Sequence, residues 1–367
     1  MAMTKAEILP QEIIIDILSR LPAKLIGQFR CVSKQWRNFL SDPQFIKYHF
    51  SIHNKEEKLI CISRSHSLNT ITFTHNSHNK TDGILRKLNF QQLSDNWVRI
   101  FGSCNGLVLV GNEENIIFLI NPTTLNYHKI PVFQFARQMR GSFSVSGLGY
   151  DFANDDYKVV ALSHYYYEHE PDIRSTFIDI YSVRKGLWRR LENSPYDLED
   201  SLLTYGVLVN GALHWLVCKL FDDSFVVVAF DLSDETFLEM PTPTNIDNNN
   251  VVCYDLVAVR GCLCMFTDTE ENRIDAWIMK EYGVEESWTK FSITVPKSLY
   301  GFLPLCLMSD DDVVLDGEKL IVYNMKEEQW RDMKVDGVTA KFRRTRTFVE
   351  SLVSPMFGEG TEGYNIA

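Results

Sequence analysis

The chain has 367 residues, 45% hydrophobic and 23% charged, with a formal net charge of −11. That length allows a large core and more than one domain, and the balance is that of a soluble globular protein. The negative field repels phosphate backbones, which argues against nucleic acid as a partner, and no apolar run reaches the ~18 to 20 residues of a membrane span.

The opening residues, Met1 to Glu7, contain no apolar stretch of the kind found in a secretory signal. Eight cysteines, at positions 31, 61, 104, 218, 253, 262, 264 and 306, are scattered through apolar surroundings without a Cys-x-x-Cys pair. They read as small buried hydrophobes in a reducing compartment, so the expected location is the cytoplasm, the nucleus or both.

Leu9-Pro10 opens an amphipathic helix whose Ile14, Ile17, Leu18 and Leu21 share one face, with Ile13 widening the stripe. Pro22 stops it. A second helix sets Leu25, Phe29, Val32, Trp36 and Phe39 or Leu40 on one side, and Arg30, Lys34 and Arg37 on the other. Asp42-Pro43 reads as a cap and a first-turn proline, opening a short third helix with Phe45, Ile46 and Phe50. So small a unit is marginal alone and carries more large apolar residues than it can hide. Its surplus face points to a groove on another protein; the plain alternative is a helical hairpin packed on its own chain.

Beyond about residue 55 the pattern changes to short strand-like runs, among them 59–62, 70–73, 107–110, 116–120, 157–162 and 225–230. They recur in a unit. A Gly-containing turn leads into an apolar strand, a second strand follows, and six residues past a turn residue stands an aromatic one. Asn121 leads to Tyr127, Ser182 to Trp188, Asp231 to Phe237 and Asn324 to Trp330; a fifth copy around Trp277 and Trp288 has a longer turn. Opening turns include Asn105-Gly106, Asn210-Gly211 and Arg260-Gly261. This period fits four-stranded propeller blades, six in number, against the alternative of a β-sandwich with coincidental aromatics. The run 348–353 is expected to pair with the first blade, near residues 59–100, and close the ring, which removes exposed edges. The basic cluster Lys341, Arg343, Arg344 and Arg346 reads as a solvated strand edge or turn.

Two stretches carry a family resemblance. The run Leu9-Pro10-x-Glu12-Ile13-x-x-x-Ile17-Leu18-x-x-Leu21-Pro22, then Phe29-Arg30-Cys31-Val32-Ser33-Lys34-x-Trp36, resembles the F-box. Gly102-Ser103-Cys104-Asn105-Gly106-Leu107, Ile120-Asn121-Pro122, Gly147-Leu148-Gly149-Tyr150-Asp151 and Asp156-Tyr157-Lys158-Val159-Val160 resemble the F-box-associated domain of plant F-box proteins. So do Trp277-Ile278-Met279-x-Glu281-Tyr282-Gly283-Val284 and Ser287-Trp288-Thr289-Lys290. The resemblance implies a mainly β chain with a small all-α N-terminal module: a helical F-box over 1–52, a six-bladed, kelch-like propeller over 53–355 and a disordered tail over 356–367. No Gly-Gly doublet of the kelch type is present, so "kelch" is only a loose architectural label here.

The resemblance further implies a non-catalytic substrate receptor of an SCF-type ubiquitin ligase. The F-box would bind a Skp-type adaptor, and through it a cullin, while the propeller holds an unknown target protein for ubiquitination and degradation. Adaptor contacts would come from Leu9, Pro10, Ile14, Ile17, Leu18, Leu21, Pro22, Ile26, Val32 and Trp36, some of which serve the module's own core instead. Leu25, Ile26, Gly27 and Gln28 stand where the family has a polar starter and packing residues. A lost cap and an interior glycine, ~1 kcal/mol each, predict a frayed start to the second helix and a weakened, retained adaptor contact.

Ring proteins display their loops at one end. Candidate segments are 133–143, 165–174, 195–205, 243–250 and 297–302, where Arg137, Arg140, Tyr166, Tyr196 and Tyr300 are the residue types enriched at interface hot spots. Bond chemistry has little to work with. There is no Gly-x-Ser-x-Gly, dinucleotide or Walker motif. His75 and His78 fall in a polar loop pattern, His214 in a core strand, and Asp310, Asp311 and Asp312 in a turn without alternating oxygen ligands. No cofactor and no metal are expected. Two rival readings are an adaptor-bound scaffold without degradation, and a propeller-type ligand-binding module or enzyme.

Overall fold

Apolar residues along each strand alternate between two neighbouring sheets, and that alternation sets the architecture. A computed structural model describes residues 10–52, 56–74, 82–91, 93–132, 141–167, 170–193, 196, 205–218, 225–243, 252–269, 273–294, 303–309, 311–317, 319–336, 338–339 and 341–356. Of the expected tail, 356–367, all but Met356 lies outside the described residues.

Four helices come first: α1 (Gln11–Ser19), α2 (Ala23–Phe29), α3 (Lys34–Leu40) and α4 (Pro43–Ile52). The single second helix expected from the sequence is two. The chain turns through Arg30–Ser33, and extended Ser33 caps α3 by accepting from Trp36 N at 3.1 Å. Arg30 secures the break from the other side, donating through Nη2 to Leu40 O at 2.8 Å. The expected fraying of α2 is not seen: Leu25 N and Ile26 N both bond Pro22 O, so the helix starts at Ala23 without a side-chain cap. None of these helices is long and apolar enough to cross a membrane.

The strands form six sheets around a ring. Blade I contains β1 (Glu57–Ile62), β2 (Leu68–Phe73) and β3 (Gly83–Lys87). Blade II is β4 (Trp97–Cys104), β5 (Leu107–Asn112), β6 (Ile117–Ile120) and β7 (Tyr127–Lys129). Blade III is β8 (Gly141–Asp151), β9 (Asp156–Tyr167), β10 (Glu170–Ser182) and β11 (Leu187–Asn193). Blade IV is β12 (Val207–Val209), β13 (Ala212–Cys218), β14 (Phe225–Asp231) and β15 (Phe237–Met240). Blade V is β16 (Val252–Val259), β17 (Cys262–Thr269), β18 (Arg273–Met279) and β19 (Trp288–Thr294). Blade VI is β20 (Leu303–Leu307), β21 (Asp312–Asp316), β22 (Ile321–Asn324) and β23 (Gln329–Asp332). The chain then adds β24 (Lys334–Val335), β25 (Val338–Thr339) and β26 (Arg343–Val349) to blade I.

The ring closes on the first blade as expected, but the closing strand is Arg343–Val349 rather than 348–353, and residues 350–353 run on without strand structure. β26 pairs antiparallel with β1, Leu59 opposite Thr347 and Ile60 opposite Arg346, and becomes the innermost strand of blade I. Two details escaped the sequence reading. The β24–β25 hairpin extends the outer edge of blade I through Val335 opposite Gly83. The basic cluster does lie at a strand edge, with Lys341 and Arg344 exposed, but that edge is β26, on the inner side of the ring.

Side-chain alternation on β9 shows how the blades hold together. Val159 and Ala161 pack with Leu107, Leu109 and Leu119 of blade II, whereas Val160 and Leu162 pack with Leu213, Trp215 and Phe230 of blade IV. Similar cores join IV to V, V to VI, VI to I and I to II. Every blade is thus buried on both faces, which is why its strands read as unbroken apolar runs.

The six-residue repeat has a geometric cause. Asn121, Asp231 and Asn324 each accept two backbone N–H bonds, from the second and third residues onward, in an Asx turn. The fourth residue, Leu125, Glu235 or Glu328, takes a left-handed conformation, as does Gly186 after Ser182. The aromatic residue then sits opposite the strand residue before the turn: Tyr127 by Ile120, Trp188 by Tyr181, Phe237 by Phe230, Trp330 by Tyr323. A further instance was hidden. Asp151 accepts from Ala153 N and Asn154 N, Asp155 is left-handed, and Tyr157 follows, here between the first two strands of blade III.

Candidate interaction sites

The helical module stands on one face of the ring. Its core of Leu18, Ala23, Ile26, Leu40 and Phe45 is completed by Leu352, from the segment that follows β26. Asn121 Nδ2 ties that segment down, donating to Ser351 O and Val353 O at 3.1 and 2.8 Å. Gly106 lies beneath it with φ +83°, and a Cβ there would meet Val349 O at 2.8 Å and the Ser351 side chain closer still. Lys47 of α4 adds an ion pair to Asp155 at 2.7 Å. The Lys47 hydrogen bond, with that of Tyr150, holds the Asp155 carboxyl down at about 2. The turns joining first to second and third to fourth strands therefore occupy the module's face. The strand ends flanking 133–140, 197–204, 244–251 and 295–302 belong to the other.

The expected adaptor residues divide by position. Leu18 and Ile26 are buried in the module's core, 4% and 0% exposed, while Ile14, Leu21 and Trp36 are half-buried against it. Pro10, Pro22, Ile17 and Val32 are exposed, and Leu9 lies outside the described residues. Ile13 and Leu25, missing from the expected set, are exposed too. Ile13, Ile17, Leu25 and Val32 stand 46, 49, 39 and 65% exposed. Both could have been found, since Ile13 flanks the stripe of α1 and Leu25 shares the apolar side read for Val32 and Trp36.

Of the expected target residues, Arg137, Arg140 and Tyr300 lie outside the described residues. Tyr166 is not in a loop: β9 runs through it to Tyr167, and it pairs with Arg174 of β10. A tyrosine-rich stretch favours an extended, paired backbone, so the hairpin grows past the expected boundary. Tyr196 is half-buried, its OH donating to Glu239 Oε1 at 3.2 Å and its ring packing edge-on against Phe237.

His214 proves to be a core histidine, fully buried between Val207 O at 3.0 Å and Tyr282 OH at 2.9 Å. Burial lowers its pKa to about 4. Its folded value lies below the unfolded one, so the neutral ring's stabilisation is complete above about pH 6.5 and is lost as pH falls towards 4. We expect His214→Gln to flatten the pH dependence of unfolding in that window by up to about 3 kcal/mol, measured by urea denaturation. Asp311 lies at the bend before β21 and Asp312 is that strand's first residue, accepting from Asn324 Nδ2 at 2.7 Å; Asp310, His75 and His78 lie outside the described residues. Among the described residues no cluster could hold a metal.

Together these features define a six-bladed propeller protein carrying an N-terminal helical module. Residues 58–354 match the family described as F-box associated beta propeller domain, and residues 7–48 match the F-box domain. The chain belongs to the plant F-box proteins that carry an F-box-associated propeller. It is 28% identical to F-box protein CPR1 of Arabidopsis thaliana, covering 94% of this chain and 88% of that protein. It is also 28% identical to the Arabidopsis thaliana F-box/kelch-repeat protein At3g23880, over 95% of this chain and 96% of the other. Among solved structures, TolB from Acinetobacter baumannii is similar over 80% of this chain and 66% of its own, with 9% identity and a TM-score of 0.47.

Proposed function

We propose that this chain is the substrate receptor of an SCF-type ubiquitin ligase. Its helical module binds a Skp-type adaptor, which connects it to a cullin, and its propeller holds a target protein on the face away from the module. The observation that carries this reading is the apolar surface of Ile13, Ile17, Leu25 and Val32 on a module whose own core is already filled. The receptor makes and breaks no bonds. It raises the target's effective concentration beside the ubiquitin-charged enzyme, and the fixed seat of the module on the ring sets where the target is held.

The test is affinity purification under proteasome inhibition, comparing the wild-type chain with Ile17→Asp. A Skp-type adaptor is expected with the former and not the latter, and a protein captured by both is expected to accumulate in cells expressing only the variant. Capture of adaptor and target without accumulation would favour a scaffold that assembles partners without degrading them.

A further inference from the structure

The innermost strands enclose a cavity of about 140 Å³ at the ring's centre, partly open to solvent. At ~30 Å³ per water it has room for about five waters. Its walls are mostly apolar, including Leu256, Val257 and Leu305.

Two charges of opposite sign line this cavity, Arg346 of β26 and Asp316 at the end of β21. They come from neighbouring blades, yet they do not form an ion pair. Asp316 is pinned by Thr345, accepting from its backbone N at 2.9 Å and its hydroxyl at 3.1 Å, with the Gly317 backbone also bonding it. Arg346 extends instead across the ring towards blade IV. Its guanidinium lies 5.7 Å from the centroid of Tyr205, whose ring is packed edge-on by Phe101. Its hydrogen bond is from Nη1 to Thr345 O at 2.9 Å, which leaves donors for a further acceptor. Arg346 keeps unused donors, and Asp316, though hydrogen-bonded, feels Arg346 only through space, so an occupant bearing both signs complements both.

We propose that the central channel binds a small zwitterion, an α-amino acid with an apolar side chain. Its carboxylate meets Arg346, its ammonium meets Asp316, and its side chain lies against Leu256, Val257 and Leu305. The cavity matches one amino acid in size, and its net charge is balanced before and after loading. This site is independent of adaptor binding and holds whether or not the chain serves a ligase.

Isothermal titration calorimetry on the full chain decides the matter, with L-leucine as probe and two half-ligands as controls. 3-Methylbutylamine lacks the carboxylate and 4-methylpentanoate lacks the ammonium. Leucine is expected to bind saturably and each half-ligand at least tenfold more weakly, the loss of one charge-assisted contact. Arg346→Met is expected to weaken leucine at least tenfold while leaving the amine unchanged, and Asp316→Asn to weaken leucine while leaving the acid unchanged. The half-ligand comparison needs no variant, so it stands if either substitution disturbs folding. Absence of saturable binding at millimolar leucine, or equal affinity for leucine and both half-ligands, overturns the proposal.

Discussion

On the proposed function, Ile17→Asp and Val32→Asp are each expected to weaken binding of a purified Skp-type adaptor by about a hundredfold, within the ~2 to 4 kcal/mol of an interface hot spot, and to leave the melting temperature unchanged. Both side chains point away from the module's core, 49% and 65% exposed, so the fold does not use them. A carboxylate at either place must be desolvated against an apolar groove, which makes the loss larger than simple truncation gives. Leu18→Ala and Ile26→Ala behave oppositely. Each removes a side chain from the cluster that holds Ala23, Leu40, Phe45 and Leu352, and so destabilises by ~2 to 5 kcal/mol. Surface plasmon resonance beside a melting curve separates the two groups. If Leu18→Ala lost binding with no change in melting, the division between core and docking face would be mistaken.

That division bears on what the amino-acid pattern could reveal. Helical spacing placed Ile14, Ile17, Leu18 and Leu21 on one stripe, but a stripe does not say which of its edges meets the chain itself. The deciding residue, Leu352, is more than 300 positions away and becomes a neighbour only because β26 returns to blade I. The return itself was legible, because a last strand after the final full repeat has only the first blade to pair with. The repeated aromatic was legible too, since the Asx turn fixes its offset from a named turn residue. Ser33 was legible as a cap and was overlooked, and so one helix was expected where there are two. The placement of Arg346 was beyond reach: a basic cluster looks the same on an outer edge as on an inner strand, and only the order of strands across blade I distinguishes them.

The other large effect concerns the joint between blades III and IV. Lys158 of β9 is 6% exposed, and its ammonium donates to Asp151 at 2.6 Å, to Glu235 at 2.7 Å and to Leu232 O. Arg189 also pairs with Glu235, and Ser233 Oγ donates to Asp151 Oδ1 at 3.0 Å. The Leu232–Glu235 stretch is the Asx turn of blade IV, so this network fastens one repeated turn to another. Burial opposes the charge on Asp151, but hydrogen bonds from Lys158, Asn154 and Ser233 outweigh it and hold the carboxyl well below the usual range. Its folded pKa being depressed, its stabilisation is present above about pH 4 and is lost as pH falls below that. Lys158→Met leaves this fully buried carboxylate without a cation, and is expected to destabilise by ~3 to 5 kcal/mol at pH 7. The sign of the pH effect supplies the sharper reading. Without Lys158 the carboxyl's folded pKa rises from its depressed value, so protonation relieves the defect sooner, and the gap between variant and wild type should narrow as pH falls from 7 towards 3. A gap that stayed constant over that range, followed by urea denaturation, would assign the loss to packing of the lysine stem and remove Asp151 from the explanation.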